Sequence, residues 1–247
     1  MSHLIKRHPL PVKSFLRRSL VLAYSVPQEL VQPLLHPGLE LDTFKGHGFF
    51  VVAMVQSERL RPAFLPSTLG TSFFLAGYRL FVRYRTLGGK TLRGLQILGT
   101  ETDRPLMVAA GNLLTHYQYG LVRADVVAEG SSLSVKVVRD GAVTLDVEAD
   151  LGAHELPEGS IFNTPAEARR FAGPMPFTFD YERETHSIVR VQGRRENWDP
   201  VPVRTRIDVH PDFSRFGIPS EPPAPASAFY LEGVPYRWDK GIVERLP

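Results

Sequence analysis

The stretch that most constrains the fold is residues 73–127. Phe74, Ala76, Tyr78, Leu80, Val82 and Tyr84 alternate with Leu75, Arg79, Phe81, Arg83 and Arg85. Strand side chains have a period of two, so residues 73–86 read as a strand with one apolar face and one that mixes arginines with Leu75 and Phe81. Gly88-Gly89 supplies the positive φ angles of a tight turn, and residues 91–102 return as the partner strand. Asp103 is placed to cap a helix over residues 104–114, with Pro105 in its first turn. Residues 115–127 then leave as a further strand.

The rest of the chain continues the pattern. Residues 1–18 read as a basic, partly ordered arm and 19–25 as a short apolar strand. Residues 27–35 have helical spacing, ended by His36-Pro37-Gly38. Residues 48–58 are apolar on both faces and should form a central strand. Residues 62–71 form a loop that could overhang a pocket. Two alternating strands flank Asp140-Gly141, a hairpin signal. Thr164-Pro165-Ala166-Glu167 is a capping box opening a short helix that Gly173-Pro174 ends. Residues 177–184 and 187–192 form another hairpin, and residues 201–209 alternate again. The Pro-rich crossover 211–226 is irregular, and residues 228–238 are the last strand. Roughly ten strands and three short helices make this a mainly β, mostly antiparallel barrel or sandwich, read as a single domain over residues 1–247.

Composition removes several functions. There are no cysteines, which excludes disulfides, thiolate catalysis and cysteine-held metals. The eight histidines are scattered without H-x-H or H-E-x-x-H spacing, so neither a metal nor a cofactor is expected. A net charge of +3 spread along the chain does not suggest nucleic acid. No apolar run nears the roughly 18 residues of a membrane span. The apolar run at residues 19–24 is too short for a signal peptide, so a cytoplasmic protein is expected.

Five segments carry a family resemblance: GLELDTF (38–44), RLRPAFLP (59–66), FLAGYRLFVRYRT (74–86), TLRGLQIL (91–98) and GNLLTHYQY (111–119). Their order resembles the acetoacetate decarboxylase-like superfamily, and most closely its DUF2071 (YqjF-like) branch. The resemblance implies a closed antiparallel β-barrel with a few short helices and an apolar interior pocket, and an assembly of at least two copies. It also implies a lysine that forms an imine with a ketone substrate, a few residues beyond the Gly-polar-Leu helix end. Here that position falls at Tyr117-Gln118-Tyr119. The six lysines, against 23 arginines, all sit where a solvated residue is expected.

The replacements define the candidate site. Thr115, Tyr117 and Tyr119 share one strand face; His116, Gln118 and Val122 share the other. Either Gln118 or the Tyr117/Tyr119 pair would line a pocket, offering hydrogen bonds. His116 could act as an acid or base, its plainer role being a bonded residue of the barrel wall. Arg79 and Arg83, with Tyr78 and Phe81 beside them, could hold a carboxylate in a fork. The plainer reading is an exposed basic face paired with Glu101 or Asp103. Glu58, Arg61 and Asn112 complete the candidates. The expected partner is a small keto or carboxylate ligand. It is bound without chemistry, or turned over by lyase or hydratase chemistry that uses no imine; a purely structural oligomeric protein is the remaining alternative.

Overall fold

The computed structural model describes residues 2–171, 175–219 and 221–247. Its strands, in chain order, are β1 (Val12–Pro27), β2 (Leu39–Leu41), β3 (His47–Pro62), β4 (Thr71–Arg85), β5 (Thr91–Thr102), β6 (Tyr119–Leu121), β7 (Arg123–Glu129), β8 (Ser132–Arg139), β9 (Ala142–Asp150), β10 (Phe177–Glu182), β11 (Ser187–Arg195), β12 (Val201–Pro202), β13 (Arg204–Val209), β14 (Pro225–Trp238) and β15 (Ile242–Arg245). Three helices join them: α1 (Gln28–Val31), α2 (Pro105–Leu114) and α3 (Pro165–Arg169). None of them is long and apolar enough to cross a membrane.

The larger sheet runs β12-β14-β1-β3-β4-β5-β10-β11-β15. Strand β11 also pairs with β14, Gly193–Arg195 lying against Tyr236–Trp238, so the path of pairings comes back to β14. A second sheet, β13-β9-β8-β7, is wholly antiparallel. In the turn between β8 and β9, Asp140 and Gly141 both adopt positive φ, 51° and 84°, the geometry that matches the twist of a two-residue hairpin.

Strand parity decides what each face buries. Leu20 and Leu22 of β1, Phe50 and Val52 of β3, and Ala76 and Leu80 of β4 pack against Leu133, Val135, Leu145 and Val147 of the second sheet. The alternate residues, among them Val21, Phe49, Val51 and Phe81, face the other way, onto Phe162, Phe171 and Phe229. Strand β3 is therefore central and apolar on both faces. Each such side chain contributes roughly 1.5–3 kcal/mol by leaving water.

A polar node ties the two sheets together. Glu101 of β5, only 1% exposed, accepts from Tyr78 Oη at 2.8 Å, and is ion-paired with Arg139 of β8 at 2.5 Å and Arg215 at 2.6 Å. Glu101→Ala leaves two guanidinium groups and a buried hydroxyl without their acceptor. The expected loss is about 3 kcal/mol of unfolding free energy, read as a lower urea midpoint at unchanged slope. An unchanged midpoint would assign the node no role in joining the sheets.

Several segments differ from the sequence reading. The basic arm 1–18 ends early: residues 12–18 already belong to β1 and pair with both β14 and β3. Exposed Lys13 and Arg17, and register shifts at Lys13/Phe15 and Leu16/Arg18, break the alternation that would have announced a strand. Before it, residues 7–10 lie against the body. The His8 amide donates to Leu114 O at 3.1 Å, its carbonyl accepts from Gly241 N at 3.0 Å, and Arg7 pairs with Glu182 at 2.5 Å.

Asp103 does not cap α2; its carboxylate accepts from Phe74 N–H at 2.8 Å instead. The strand expected over 115–127 splits into β6 and β7, in different sheets, and 201–209 splits likewise into β12 and β13. In the crossover 211–226, Phe213–Phe216 forms a 3₁₀ turn capped by Asp212, and β14 begins at Pro225. The capping box forms, with Thr164 Oγ1 accepting from Glu167 N at 3.1 Å. The helix stop assigned to Gly173-Pro174 lies outside the described residues.

Candidate functional site

A cavity of about 300 Å³ opens on the face of the larger sheet turned away from the second sheet. Aliphatic and aromatic side chains such as Leu16, Val55, Phe73, Leu75 and Ile97 make most of its wall. Among the described residues, its basic lining groups are Arg79, Arg61 and His8.

Arg79 stands on the inward face of β4, next to Ile97 of β5 in the ladder. Its side chain is enclosed by the protein, and the surface it retains opens on the cavity. Among the described residues it has no acidic partner, and its Nε is buried without an acceptor. Burial lowers its pKa, and the neighbouring tyrosines Tyr236, Tyr117 and Tyr119 oppose that shift. An arginine remains charged under these conditions, so the cavity holds an unneutralised cation. An isolated buried charge costs several kcal/mol unless something pairs with it.

Arg79, Tyr119 and Tyr236 each pack against a glycine. A Cβ on Gly77, two residues earlier on the same strand face, would come within 2.7 Å of the Arg79 guanidinium. A Cβ on Gly111 of α2 would collide with the Tyr119 ring, and one on Gly193 of β11 with the Tyr236 hydroxyl. Gly77→Ala is expected to push the guanidinium deeper into the cavity and, if the cavity takes an anion as proposed below, to weaken its binding roughly tenfold, with the melting temperature nearly unchanged, because only a flexible side-chain end must move. Equal affinity in a titration would show that the guanidinium has room elsewhere.

Tyr117 is buried against the His8 ring at 5.3 Å between centroids, and its hydroxyl lies 2.9 Å from Thr178 Oγ1 of β10. Burial raises the pKa of Tyr117 well above the usual tyrosine range and that of Tyr119 to about 12, so both stay protonated as hydrogen-bond donors. Asp180 lies two residues beyond Thr178, on the same face of β10. Burial pushes its carboxyl up to about 8, and its nearness raises the pKa of both tyrosines. At neutral pH Asp180 is therefore uncharged and offers Arg79 no counter-charge. His8, lowered to about 4 by burial and by nearby His116, is also neutral, and its Nε2 is buried without a partner.

Of the candidates read from the sequence, Arg79, Tyr117, Tyr119 and Arg61 line the cavity. Arg61 is already engaged, donating to Leu65 O at 3.1 Å and Arg59 O at 2.8 Å. The remaining candidates lie off the cavity wall. Arg83 does not join Arg79 in a fork; it pairs at 3.0 Å with Asp42, which Arg93 holds from the other side. Tyr78 faces the second sheet and donates to Glu101. Phe81 packs on Phe49 and Phe171. Glu58 accepts from Arg17 at 3.3 Å at the surface. Asn112 clamps the Tyr119 backbone, accepting from its N–H at 2.8 Å and donating to its carbonyl at 2.9 Å.

Gln118 is exposed with φ 52°, a left-handed turn that swings it away and sends Tyr117 and Tyr119 inward. His116 is half-buried with Nε2 unpartnered; burial and Lys6 lower its pKa against the opposing charges of Glu182 and Glu184, and among the described residues no carboxylate is bonded to its ring. The sequence reading missed His8, Thr178, Asp180 and Tyr236. They come from the N-terminal segment and from β10 and β14, distant in sequence, and only the pairing of strands brings them together. Among the described residues, no group of three or more histidine, aspartate or glutamate side chains is placed to hold a metal ion.

The overall fold is shared with acetoacetate decarboxylase-like proteins. The chain superposes on acetoacetate decarboxylase from Legionella pneumophila with a TM-score of 0.63 at 14% identity, over 95% of this chain and 87% of that one. An acetoacetate decarboxylase-like enzyme from Sphingomonas wittichii RW1 gives 0.60 at 14% identity, over 97% and 93%. The enduracididine biosynthesis enzyme MppR, complexed with the condensation product of pyruvate and imidazole 4-carboxaldehyde, gives 0.63 at 12% identity, over 95% and 89%. Within that fold the chain belongs to DUF2071, a family of uncharacterized conserved proteins whose model matches residues 14–235. No curated protein matches it in sequence.

Proposed function

We propose that the protein binds a small organic carboxylate, or a carbonyl compound carrying one, inside a closed β-barrel, with Arg79 as the counter-ion. Tyr117, Tyr119 and Tyr236 orient the ligand through their hydroxyls, and no lysine takes part. The observation that carries this reading is the enclosed Arg79 guanidinium, which has no acidic partner among the described residues. A bidentate arginine–carboxylate pair in an apolar cavity is among the strongest polar contacts available, and it relieves the cost of burying the charge. MppR, which shares the fold, is complexed with pyruvate in one of its structures, in keeping with a cavity for organic acids. Lyase or hydratase chemistry through His116 has less support, since that ring is off the cavity wall. The protein is also proposed to act as a single cytoplasmic domain that assembles into a homo-oligomer, in keeping with the superfamily.

The test is a panel of carboxylates, each paired with its neutral amide, read by thermal unfolding. Carboxylates should raise the melting temperature and amides should not. Borohydride added with keto acids should leave the intact mass unchanged. A reduced adduct would restore the imine mechanism and end the non-covalent part of the proposal.

A further inference from the structure

The shape of the cavity beyond Arg79 points to the kind of carboxylate. Along the inward face of β4, Arg79 is followed by Gly77, Leu75 and Phe73, running away from the guanidinium. The guanidinium lies over Gly77, and the four residues of antiparallel strand from there to Phe73 span about 14 Å. The facing strands continue the apolar surface at the same level. Val55 lies opposite Leu75, Leu60 opposite Thr71, and Leu16 of β1 opposite Ser57. All but Thr71 line the cavity. The Ser57 hydroxyl is occupied by Ser14 at 2.6 Å and offers no polar demand to a ligand. The cationic end is thus joined to a mainly aliphatic lane, whose polar members are Ser19 opposite Val55 and Arg61 beside Leu60.

The volume agrees. About 300 Å³ accommodates roughly ten water-sized groups at ~30 Å³ each. A three-carbon keto acid held at Arg79 would leave Leu75, Phe73, Leu60 and Leu16 facing empty space. We infer that this site selects monocarboxylates with an unbranched or aryl apolar tail, of about eight to ten carbons. Arg79 takes the carboxylate, and Leu75, Val55, Phe73, Leu60 and Leu16 take the tail. This inference rests on the Arg79 reading above and adds the tail to it.

Calorimetric titration of the wild-type protein with butyrate, hexanoate, octanoate, decanoate and dodecanoate, each below its aggregation threshold, tests it. Affinity should rise roughly three- to fourfold per added methylene as far as decanoate, the gain for burying one methylene. Leu75→Trp, which narrows the lane without touching Arg79, should weaken decanoate at least tenfold more than hexanoate. Equal affinity for butyrate and decanoate would overturn the tail while leaving the carboxylate site standing. 1-Decanol binding as tightly as decanoate would keep the lane and overturn the role of Arg79. Binding of none of these ligands would overturn both. The chain-length series needs no variant, so a Leu75→Trp protein that fails to fold does not obscure it.

Discussion

Arg79→Met is expected to abolish carboxylate binding and, in the same protein, to raise the stability of the ligand-free fold. The two effects share one cause. The guanidinium is enclosed, its Nε has no acceptor, and no acidic side chain among the described residues neutralises it. Keeping such a charge in the fold costs free energy that a well-packed apolar side chain of similar volume would not. Methionine should therefore raise the unfolding free energy by about 1–4 kcal/mol. Removing one partner of a desolvated arginine–carboxylate pair costs about 2–5 kcal/mol of binding, roughly a 30- to 4,000-fold loss. Urea unfolding without ligand and calorimetry with decanoate measure the two halves. A variant that is less stable and still binds would mean that Arg79 supports the structure, with its partner supplied from within the protein.

The second large effect concerns Asp180. Its folded-state pKa is raised to about 8, against an ordinary value of 3.8. The folded state therefore holds a proton that the unfolded chain releases between those two values. Below pH 4 both states are protonated and Asp180 costs nothing. As pH rises towards 8 the unfolded state gains by ionising, so stability falls through this window and levels off above it. At pH 7 the penalty is of order 4 kcal/mol, from about three pH units at 1.36 kcal/mol each. Asp180→Asn, which cannot ionise, should be more stable than the wild type at pH 7 by about that amount and nearly equal to it at pH 4. Melting temperatures across pH 4–9 for the two proteins measure this. Parallel curves would place the Asp180 carboxyl in contact with water or with a cation. Ligand affinity should also weaken above pH 8, as a carboxylate forms beside Tyr117 and Tyr119.

Much of the framework was legible in the sequence because it is written in local periodicity. The alternation of residues 73–86, the Gly88-Gly89 turn, the two-faced strand at 48–58 and the Asp140-Gly141 hairpin all follow from side-chain spacing and φ preferences within a few residues. The Thr164/Glu167 capping box is equally local. Arg79 could be singled out because arginines share a strand face with Leu75 and Phe81, and the Tyr117/Tyr119 pair because the family resemblance places the imine-forming lysine at that position.

Other features were not legible, because the physics that sets them acts between distant segments. Arg79 and Arg83 have the same residue type and the same strand parity. One became an unpaired cation in a cavity, and the other found Asp42 on a neighbouring segment. Only the register of β2, β4 and β5 separates them. Gln118 left the cavity through a single positive φ that its side-chain type does not demand. Asp180 looks like any aspartate of an alternating strand; its shifted pKa comes wholly from burial. The residues themselves determined a mainly β chain with a cation on an apolar strand face. The tertiary structure decided which cation stays unpaired and what surrounds it, because charge neutralisation and desolvation depend on which strands become neighbours.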